Sequence, residues 1–544
     1  KESSFTRRLH WAVCAAVPSS LLLGVTTYIT TDVASMPLLW VLPLALYLLT
    51  FVLVFSRRQF IPAKLLSRAL PIGALALAYQ MCAGLSEPAW LVLGLHLGVF
   101  FLATMVCHAR LAAARPDAEQ LTDFYLWMSL GGVLGGLFNS LLAPMLCNSV
   151  VEYPLALLAA CWLRMETERR ASLGTTDAMA QSRAMLGAPP ASSIQRPASD
   201  FLWPLCLAVL TAALAAFLPP AKLLPAQLQS LAIFGLPLLL CFLLVDSPRR
   251  FALGLGAVFL GAACFTGGFG KTLHVERNFF GVTRVTLSPT GDARQIVHGR
   301  TIHGRQFLDA ARAAEPLTFY HREGPLGDVF KVFAARADGL QLPARSVGVI
   351  GLGAGSMAAY ARPGERWTFY DIDPSVLRIA QDTNFFTFLA RSAAAETRLV
   401  EGDARLRLCE AADGGYDLLV LDAFSSDAIP VHLITREAVA LYLRKLAPGG
   451  MLAFHISNRY LDLEPVLANL AEDLRLVALG CDDMSLTEAE FATGREQAHW
   501  VVMARSEVDL VGFQRRTRWS PLEGRASVGV WTDDFSSPLR VWQR

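Results

Sequence analysis

Carboxylates stand at the ends of successive apolar runs in the second half of the sequence. Trp367-Thr-Phe-Tyr-Asp-Ile-Asp373 closes on Asp371 and Asp373, Thr397 to Gly402 leads into Asp403, and Tyr416 to Leu421 leads into Asp422. Upstream, Ser346-Val-Gly-Val-Ile-Gly-Leu-Gly353 runs into Gly351-Leu-Gly-Ala-Gly-Ser356, so Gly351, Gly353 and Gly355 form a turn that lets backbone approach a nucleotide. An acid at the end of the next strand can accept both hydroxyls of a ribose. Glycines alone are a weak signal; here they come with acids at matching positions of the following strands. The alternative is that these acids only cap helices, and Asp373 before Pro374-Ser375-Val376 suits such a cap.

The elements that must hold these groups are buried strands joined by crossovers. The four runs above, with Met451 to Ile456 after the turn Pro448-Gly449-Gly450, predict an α/β sheet of Rossmann type that binds its ligand beyond the carboxyl ends of the strands. Before it, Arg277 to Val297 alternates apolar and polar residues around Pro289-Thr290-Gly291-Asp292, which predicts a small antiparallel sheet. The expected division is a small β-domain over 271–318 and a nucleotide-binding catalytic domain over 319–544.

The first half has another character. The chain is 53% hydrophobic and 17% charged with a mean hydropathy of +0.41, too apolar for an ordinary soluble protein of this size. Residues 1–270 read as a polytopic transmembrane domain with about nine spans, Trp11 to Thr30, Leu38 to Phe55, Leu65 to Gly84, Trp90 to Cys107, Leu121 to Leu146, Val150 to Leu163, Phe201 to Leu218, Leu228 to Val245 and Phe251 to Gly267. Basic residues gather on alternate connections (Arg7 and Arg8; Arg57, Arg58, Lys64 and Arg68; Arg110 and Arg115; Arg164, Arg169 and Arg170; Arg249 and Arg250), which places the N-terminus in the cytoplasm. Nine crossings would put the C-terminal domain outside, so one run, Val150 to Leu163 or the last, is expected not to cross. The stretch 166–199 reads as a flexible linker. Polar groups at membrane depth, Ser19, Ser20, Thr26, His96, Asp123, Asn139 and Ser140 among them, either bond between helices or line a polar cavity, and Gly131, Gly132, Gly135 and Gly136 fit close helix packing. A net charge of +2 without a Lys/Arg stripe argues against nucleic acid. The ten cysteines form no CxxC or Cys/His cluster, so no metal site or disulfide framework is expected. The sequence opens on Lys1, and no cleavable leader is judged from that end.

Taken together, the glycine loop, Tyr370-Asp371-Ile-Asp373, Gly402-Asp403-Ala404-Arg405 and Tyr416-Asp-Leu-Leu-Val-Leu-Asp422 resemble the spermidine synthases, a family with a class I methyltransferase-like fold. The resemblance covers roughly the last half of the chain. Asp422-Ala-Phe-Ser-Ser-Asp427-Ala-Ile-Pro430 and Trp531-Thr-Asp-Asp-Phe535 look closest to the subgroup fused to a multi-span membrane domain. It implies that Gln306 and Asp371 hold the ribose, with the glycine loop and Asp373 beside them. Asp403, next to Ala404, would accept from the adenine. Tyr320 and His321 would line the aminopropyl pocket, Asp422 would be the general base, and Asp427 its partner for the amine. Asp533 and Asp534 are further acids that could meet a cationic substrate.

Departures from the family pattern bear on the donor. Ala354 stands where the family carries an Asp that helps to hold the amine end of decarboxylated S-adenosylmethionine, and Arg322 stands where it carries a Glu. Arg322 could pair with the carboxylate of ordinary S-adenosylmethionine. The acidic loop is also longer, with Phe424-Ser425-Ser426 between Asp422 and Asp427. The leading expectation is a membrane-anchored aminopropyltransferase moving an aminopropyl group from decarboxylated S-adenosylmethionine to an amine or polyamine such as putrescine, releasing methylthioadenosine. The alternatives are methyl or carboxyaminopropyl transfer from S-adenosylmethionine, and a polyamine transporter or sensor regulated by its nucleotide domain. The expected setting is the inner, plasma membrane of a bacterial-type cell, with a cytoplasmic catalytic domain and room for a homodimer.

Overall fold

The structure, a computed structural model, describes residues 4–33, 38–56, 61–164, 197–221, 225–340, 345–423 and 430–542. It divides into two compact units, one of Lys1–Val33 and Leu38–Gly267 and the other built on Gly268–Arg544.

The first unit is helical among the described residues. Five of its helices are long and apolar enough to cross a membrane: Ser4–Val33, Lys64–Ala83, Ala89–Ala113, Ala118–Leu146 and Phe201–Pro219; Val41–Phe55 and Leu228–Phe242 are shorter apolar helices. The run from Val150 forms only the 11-residue helix Glu152–Trp162, about 16 Å long at the usual rise and too short for a hydrocarbon core of about 30 Å. The last run forms Pro248–Ala262, 15 residues. Polar groups in this unit meet one another across helices. A Cβ on Gly131 or Gly135 would stand 2.2 Å from the carbonyl oxygen of Ala12 or Ala16, so these glycines let two backbones touch, while Gly132 and Gly136 face open space. The Ser19 hydroxyl donates to the Gly132 carbonyl at 2.8 Å, Asn139 donates to Ser20, Arg8 pairs with Asp123 at 2.8 Å, and His96 lies between Tyr153 and Gln80. The expected linker falls almost wholly outside the described residues; its last positions begin the helix Pro197–Ala221.

The second unit opens with an antiparallel sheet of β1 (Lys271–Asn278), β2 (Gly281–Leu287), β3 (Ala293–His298) and β4 (Thr301–Phe307), paired in chain order. The main sheet contains β5 (Ser346–Ile350), β6 (Arg366–Asp371), β7 (Glu396–Glu401), β8 (Tyr416–Leu421), β9 (Leu446–His455), β10 (Val477–Asp483), β11 (Ala498–Ala504) and β12 (Ser520–Pro521), in the order β12-β10-β11-β9-β8-β5-β6-β7. β7, β6, β5, β8 and β9 run parallel, and β11 is antiparallel between β9 and β10. This is the class I methyltransferase-like arrangement. The apolar runs are continuous because both faces are covered. Alternate residues go to opposite sides: Val347, Val349, Leu418 and Val420 enter one core with Phe330 and Trp500, while Ile350, Leu419 and Leu421 enter the other with Tyr442 and Leu467.

Candidate active site

Successive strands are added on opposite sides of β5, toward β6 and toward β8, and such a switch leaves a crevice beyond the carboxyl ends. Gly351 directly follows β5 there and Asp422 directly follows β8. A Cβ on Gly351, whose φ is +98°, would stand 2.2 Å from the Asp422 carbonyl oxygen. Gly353, at φ +54°, meets the His303 carbonyl at the same hypothetical 2.2 Å, so the glycine loop can accept β4 of the small sheet directly against it.

Two cavities flank this contact. The first, ≈ 250 Å³, is lined by Gly351, Gly353, Asp371, Asp373, Asp403, Ala404 and Asp422 on the main sheet side, and by Phe280, His298 and His303 from the small sheet. The second, ≈ 400 Å³, is lined by Phe319, His455, Ser457, Asn458, Arg459, Met484, Phe491 and Glu496. His303, Tyr320 and Asp422 belong to both.

Asp371 is fixed by two backbone amides, Leu352 N–H to Oδ2 and Asp373 N–H to Oδ1, each at 2.9 Å. Burial nevertheless raises its pKa to about 6, with Asp373 and Asp422 adding to the rise against those two bonds. Asp373 caps the helix Pro374–Gln381 by accepting from Ser375 N–H at 2.8 Å, and it still lines the cavity. Asp403 caps Ala404–Glu410 through Leu406 N–H at 3.1 Å and lies 3.2 Å from Nε2 of His432. The cap and the cavity wall are thus the same residues, because a strand end that meets a helix start also meets the crevice.

Asp422 is the junction. Its Oδ2 accepts the Tyr320 hydroxyl at 2.7 Å, and its Oδ1 lies 2.6 Å from Nδ1 of His455, whose Nε2 lies 2.7 Å from the Ser457 hydroxyl. Burial, reinforced by the Asp422 charge, drives the Tyr320 pKa well above the ordinary tyrosine value, so the phenol stays a donor. His455 is buried and stacked on Trp500 with centroids 4.6 Å apart. His303 is held neutral, its pKa pushed down to about 3 by burial and then by His298 and His455, and its buried Nε2 has no hydrogen-bond partner among the described residues. Glu496 has its pKa raised by burial despite Arg305, 3.4 Å away. The site therefore offers a cavity walled by carboxylates, an adjoining cavity that sets Glu496 and Arg459 among aromatic and polar side chains, and one carboxylate between them.

Several expected site residues lie elsewhere. Gln306 is buried and lines neither cavity, because its amide binds the Ala313 carbonyl and Thr387 on both sides. His321 also lines neither, accepting from Glu323 N–H at 3.2 Å, with its pKa lowered by burial and then by Arg495. Gly355 precedes the turn Ser356–Tyr360 and packs near Leu389. Arg322 is directed to the Ala359 carbonyl at 3.0 Å and the Tyr360 ring. Asp533 is engaged by both terminal nitrogens of Arg405 at 2.7 and 2.6 Å and by Thr435, and Asp534 is exposed away from both cavities. Ala354 is 1% exposed in a core with Val285, Ile296, Ile379 and Phe386, rather than in the cavity wall. Asp427 lies outside the described residues. His303, His455 and Glu496 line the cavities and are not among the expected site residues. His455 follows Phe454 as Asp422 follows Leu421, the register partner of Phe454, and each polar residue closes an apolar run, which is the available signal.

No family model matches the chain. A polyamine aminopropyltransferase of Vibrio vulnificus is 37% identical over 109 residues, which cover 19% of this chain and 35% of that protein. The chain thus spans about a third of the length of the curated relative it matches. Among solved structures, a probable spermidine synthase from Corynebacterium glutamicum is similar at 16% identity and a TM-score of 0.34, over 49% of this chain and 97% of that one. The spermidine synthase of Thermotoga maritima is similar at 12% identity and a TM-score of 0.30, over 47% of this chain and 81% of that one. A SAM-dependent methyltransferase from Archaeoglobus fulgidus is similar at 13% identity and a TM-score of 0.21, over 32% of this chain and 93% of that one.

Proposed function

We propose, from the likeness of its C-terminal half to the spermidine synthase family, that this chain is a membrane-anchored transferase that moves an aminopropyl group from decarboxylated S-adenosylmethionine to a small amine or polyamine such as putrescine. The single observation that carries the reading is Asp422, a carboxylate shared by two cavities and held at both oxygens. In this reading the donor's thioadenosine occupies the first cavity, with Asp371 accepting from the ribose hydroxyls and Asp403 from the adenine amino group. The amine occupies the second, between Asp422 and Glu496.

The transfer needs a neutral amine in line with the carbon beside the sulfonium. Asp422 attracts the ammonium and takes its proton. The nitrogen lone pair then forms the new C–N bond as the C–S bond breaks, and the departing pair leaves sulfur neutral in methylthioadenosine. Tyr320 and His455 hold the carboxylate oriented, and the pair His455 and Ser457 offers the proton a hydrogen-bonded path away from the reacting atoms. The lining of the first cavity carries acids and histidines but neither Lys nor Arg among the described residues, which suits a donor with a cationic tail better than one ending in a carboxylate. In the N-terminal half the basic connections favour a cytoplasmic N-terminus, and a cytosolic nucleotide supply favours a cytoplasmic catalytic half.

The test is incubation of the purified full chain with each donor and a panel of amines, with mass spectrometry of both products. Methylthioadenosine together with an amine enlarged by one aminopropyl group is the expected result. S-Adenosylhomocysteine, or no turnover with any amine, would defeat the reading.

A further inference from the structure

At the end of the helical unit where basic connections gather, the structure brings together cations that are far apart in sequence. A cavity of ≈ 630 Å³ is lined by His10, Arg110, Trp162, Arg164, Pro248 and Arg249, with Ala113 and Leu163. Arg110 comes from the last turn of Ala89–Ala113, Arg164 from just beyond Glu152–Trp162, and Arg249 from the first turn of Pro248–Ala262.

Part of this charge has a structural use. Arg110 donates to the Leu163 carbonyl at 2.6 Å, and Arg164, 3% exposed, donates to the carbonyls of Ser67 and Val245 while lying over the Phe251 ring. Such contacts complete helix ends, but carbonyls do not neutralise a guanidinium. Asp246 acts electrostatically on Arg164, and no acid lines the cavity among the described residues. Capping does not explain Arg249. A cation in the first turn opposes the positive end of its helix, and Arg249 is exposed beside the Trp162 ring at 5.9 Å. The N-terminus of that 15-residue helix opens at Pro248 on the same cavity and adds to its positive potential.

We infer that this cavity binds a phosphate-class oxyanion, either the phosphodiester headgroup of an anionic lipid or free phosphate. Arg–phosphate pairing is strong and geometrically selective, and basic pockets between membrane helices suit such headgroups. Trp162, 45% exposed at the rim, fits the aromatic level of a membrane interface. The lipid source rests on the membrane reading of the N-terminal half; the phosphate source does not, and neither depends on the transfer chemistry.

The test uses the full chain in a neutral detergent, with its thermal midpoint followed against short-chain phosphatidylglycerol, short-chain phosphatidylcholine and inorganic phosphate. Phosphatidylglycerol is expected to raise the midpoint more than phosphatidylcholine, with the difference shrinking as salt increases. Arg249→Ala is expected to weaken that response about tenfold and Arg249→Lys less, since a point charge replaces a bidentate fork. Arg249 is exposed, and methylthioadenosine binding by the variant reports whether the catalytic half is intact. A response to phosphatidylglycerol without one to phosphate assigns the lipid headgroup; equal responses to both assign a free oxyanion site. Equal responses to the two lipids with none to phosphate, or a response unchanged in Arg249→Ala, overturns the inference and leaves Arg110 and Arg164 as carbonyl caps only.

Discussion

Asp422 follows the last residue of β8 and His455 closes the adjacent parallel β9, and Oδ1 of the first stands 2.6 Å from Nδ1 of the second. Because Tyr320 occupies the other oxygen, the carboxylate has a fixed plane from which to meet an amine. Asp422→Asn keeps the shape and removes the base, so turnover should fall roughly 100-fold or more with little change in methylthioadenosine affinity. His455→Ala should cost less, since it removes orientation rather than the base. Steady-state rates with calorimetric nucleotide binding check both, and a near-parental rate for Asp422→Asn would mean that Asp422 merely ends its strand.

Nucleotide binding should depend on pH through Asp371. Burial lifts its pKa to about 6, and a carboxylate that accepts two ribose hydroxyls must be ionised. The sign follows: affinity for methylthioadenosine is full above about pH 6 and falls as pH drops through it, by roughly tenfold per unit once Asp371 is mostly protonated. In the empty protein the same raised pKa works the other way, giving stability that is present below the ordinary carboxyl value and lost as pH rises through about 6. Asp371→Asn should bind weakly and lose the pH dependence. Titrations at pH 5, 6 and 7.5 decide the matter, and a flat profile in the parent would remove Asp371 from the ribose site.

The strand-end acids were legible because each closes an apolar run that a parallel sheet must bury, and the crevice follows from the order of those strands. Asp371, Asp403 and Asp422 therefore fall on the cavity. Residues that reach it through tertiary contact were not legible. His303 arrives on β4 only because Gly353 has no side chain, and Glu496 arrives just before β11, a strand not foreseen. Conversely, Arg322 and Asp533 are charged residues near motif positions, and local sequence gives no sign that Tyr360 and Arg405 hold them elsewhere. The apolar, helical character of the first half was legible in its long hydrophobic runs, and Val150 to Leu163, one of the two runs weighed as not crossing, forms a helix of 11 residues.

Ala354 stands where the resembled family carries an Asp, and its surroundings set the expectation for Ala354→Asp. A Cβ on Gly304, whose φ is +149°, would stand 2.6 Å from the Ala354 Cβ, so the two chains already touch. A carboxylate there has neither space nor solvent. Ala354→Asp should destabilise the catalytic half by about 3 kcal/mol or more through an unpaired buried charge, and Gly304→Ala by roughly 1–3 kcal/mol through backbone strain. Chemical denaturation followed by the tryptophans checks both. A stable Ala354→Asp protein would mean that residue 354 can turn toward the cavity.

The choice of donor can be predicted from charge alone. Around the first cavity the charged side chains of the described lining are Asp371, Asp373, Asp403 and Asp422, with histidines between them and neither Lys nor Arg. Decarboxylated S-adenosylmethionine ends in an ammonium that such a wall attracts. The α-carboxylate of S-adenosylmethionine would instead approach Asp422 with no Lys or Arg in the described lining of that cavity, at a cost of about 1 kcal/mol or more for like charges near 4 Å even at high effective dielectric. Arg322, the group that could have offset it, is turned to Ala359. The parent should therefore bind the decarboxylated donor about tenfold or more tightly than S-adenosylmethionine. Asp422→Asn should narrow the gap from both sides, by weakening the ammonium and relieving the carboxylate. Calorimetric titration of both donors against the two proteins measures this directly, and tighter parental binding of S-adenosylmethionine would turn the assignment toward methyl or carboxyaminopropyl transfer.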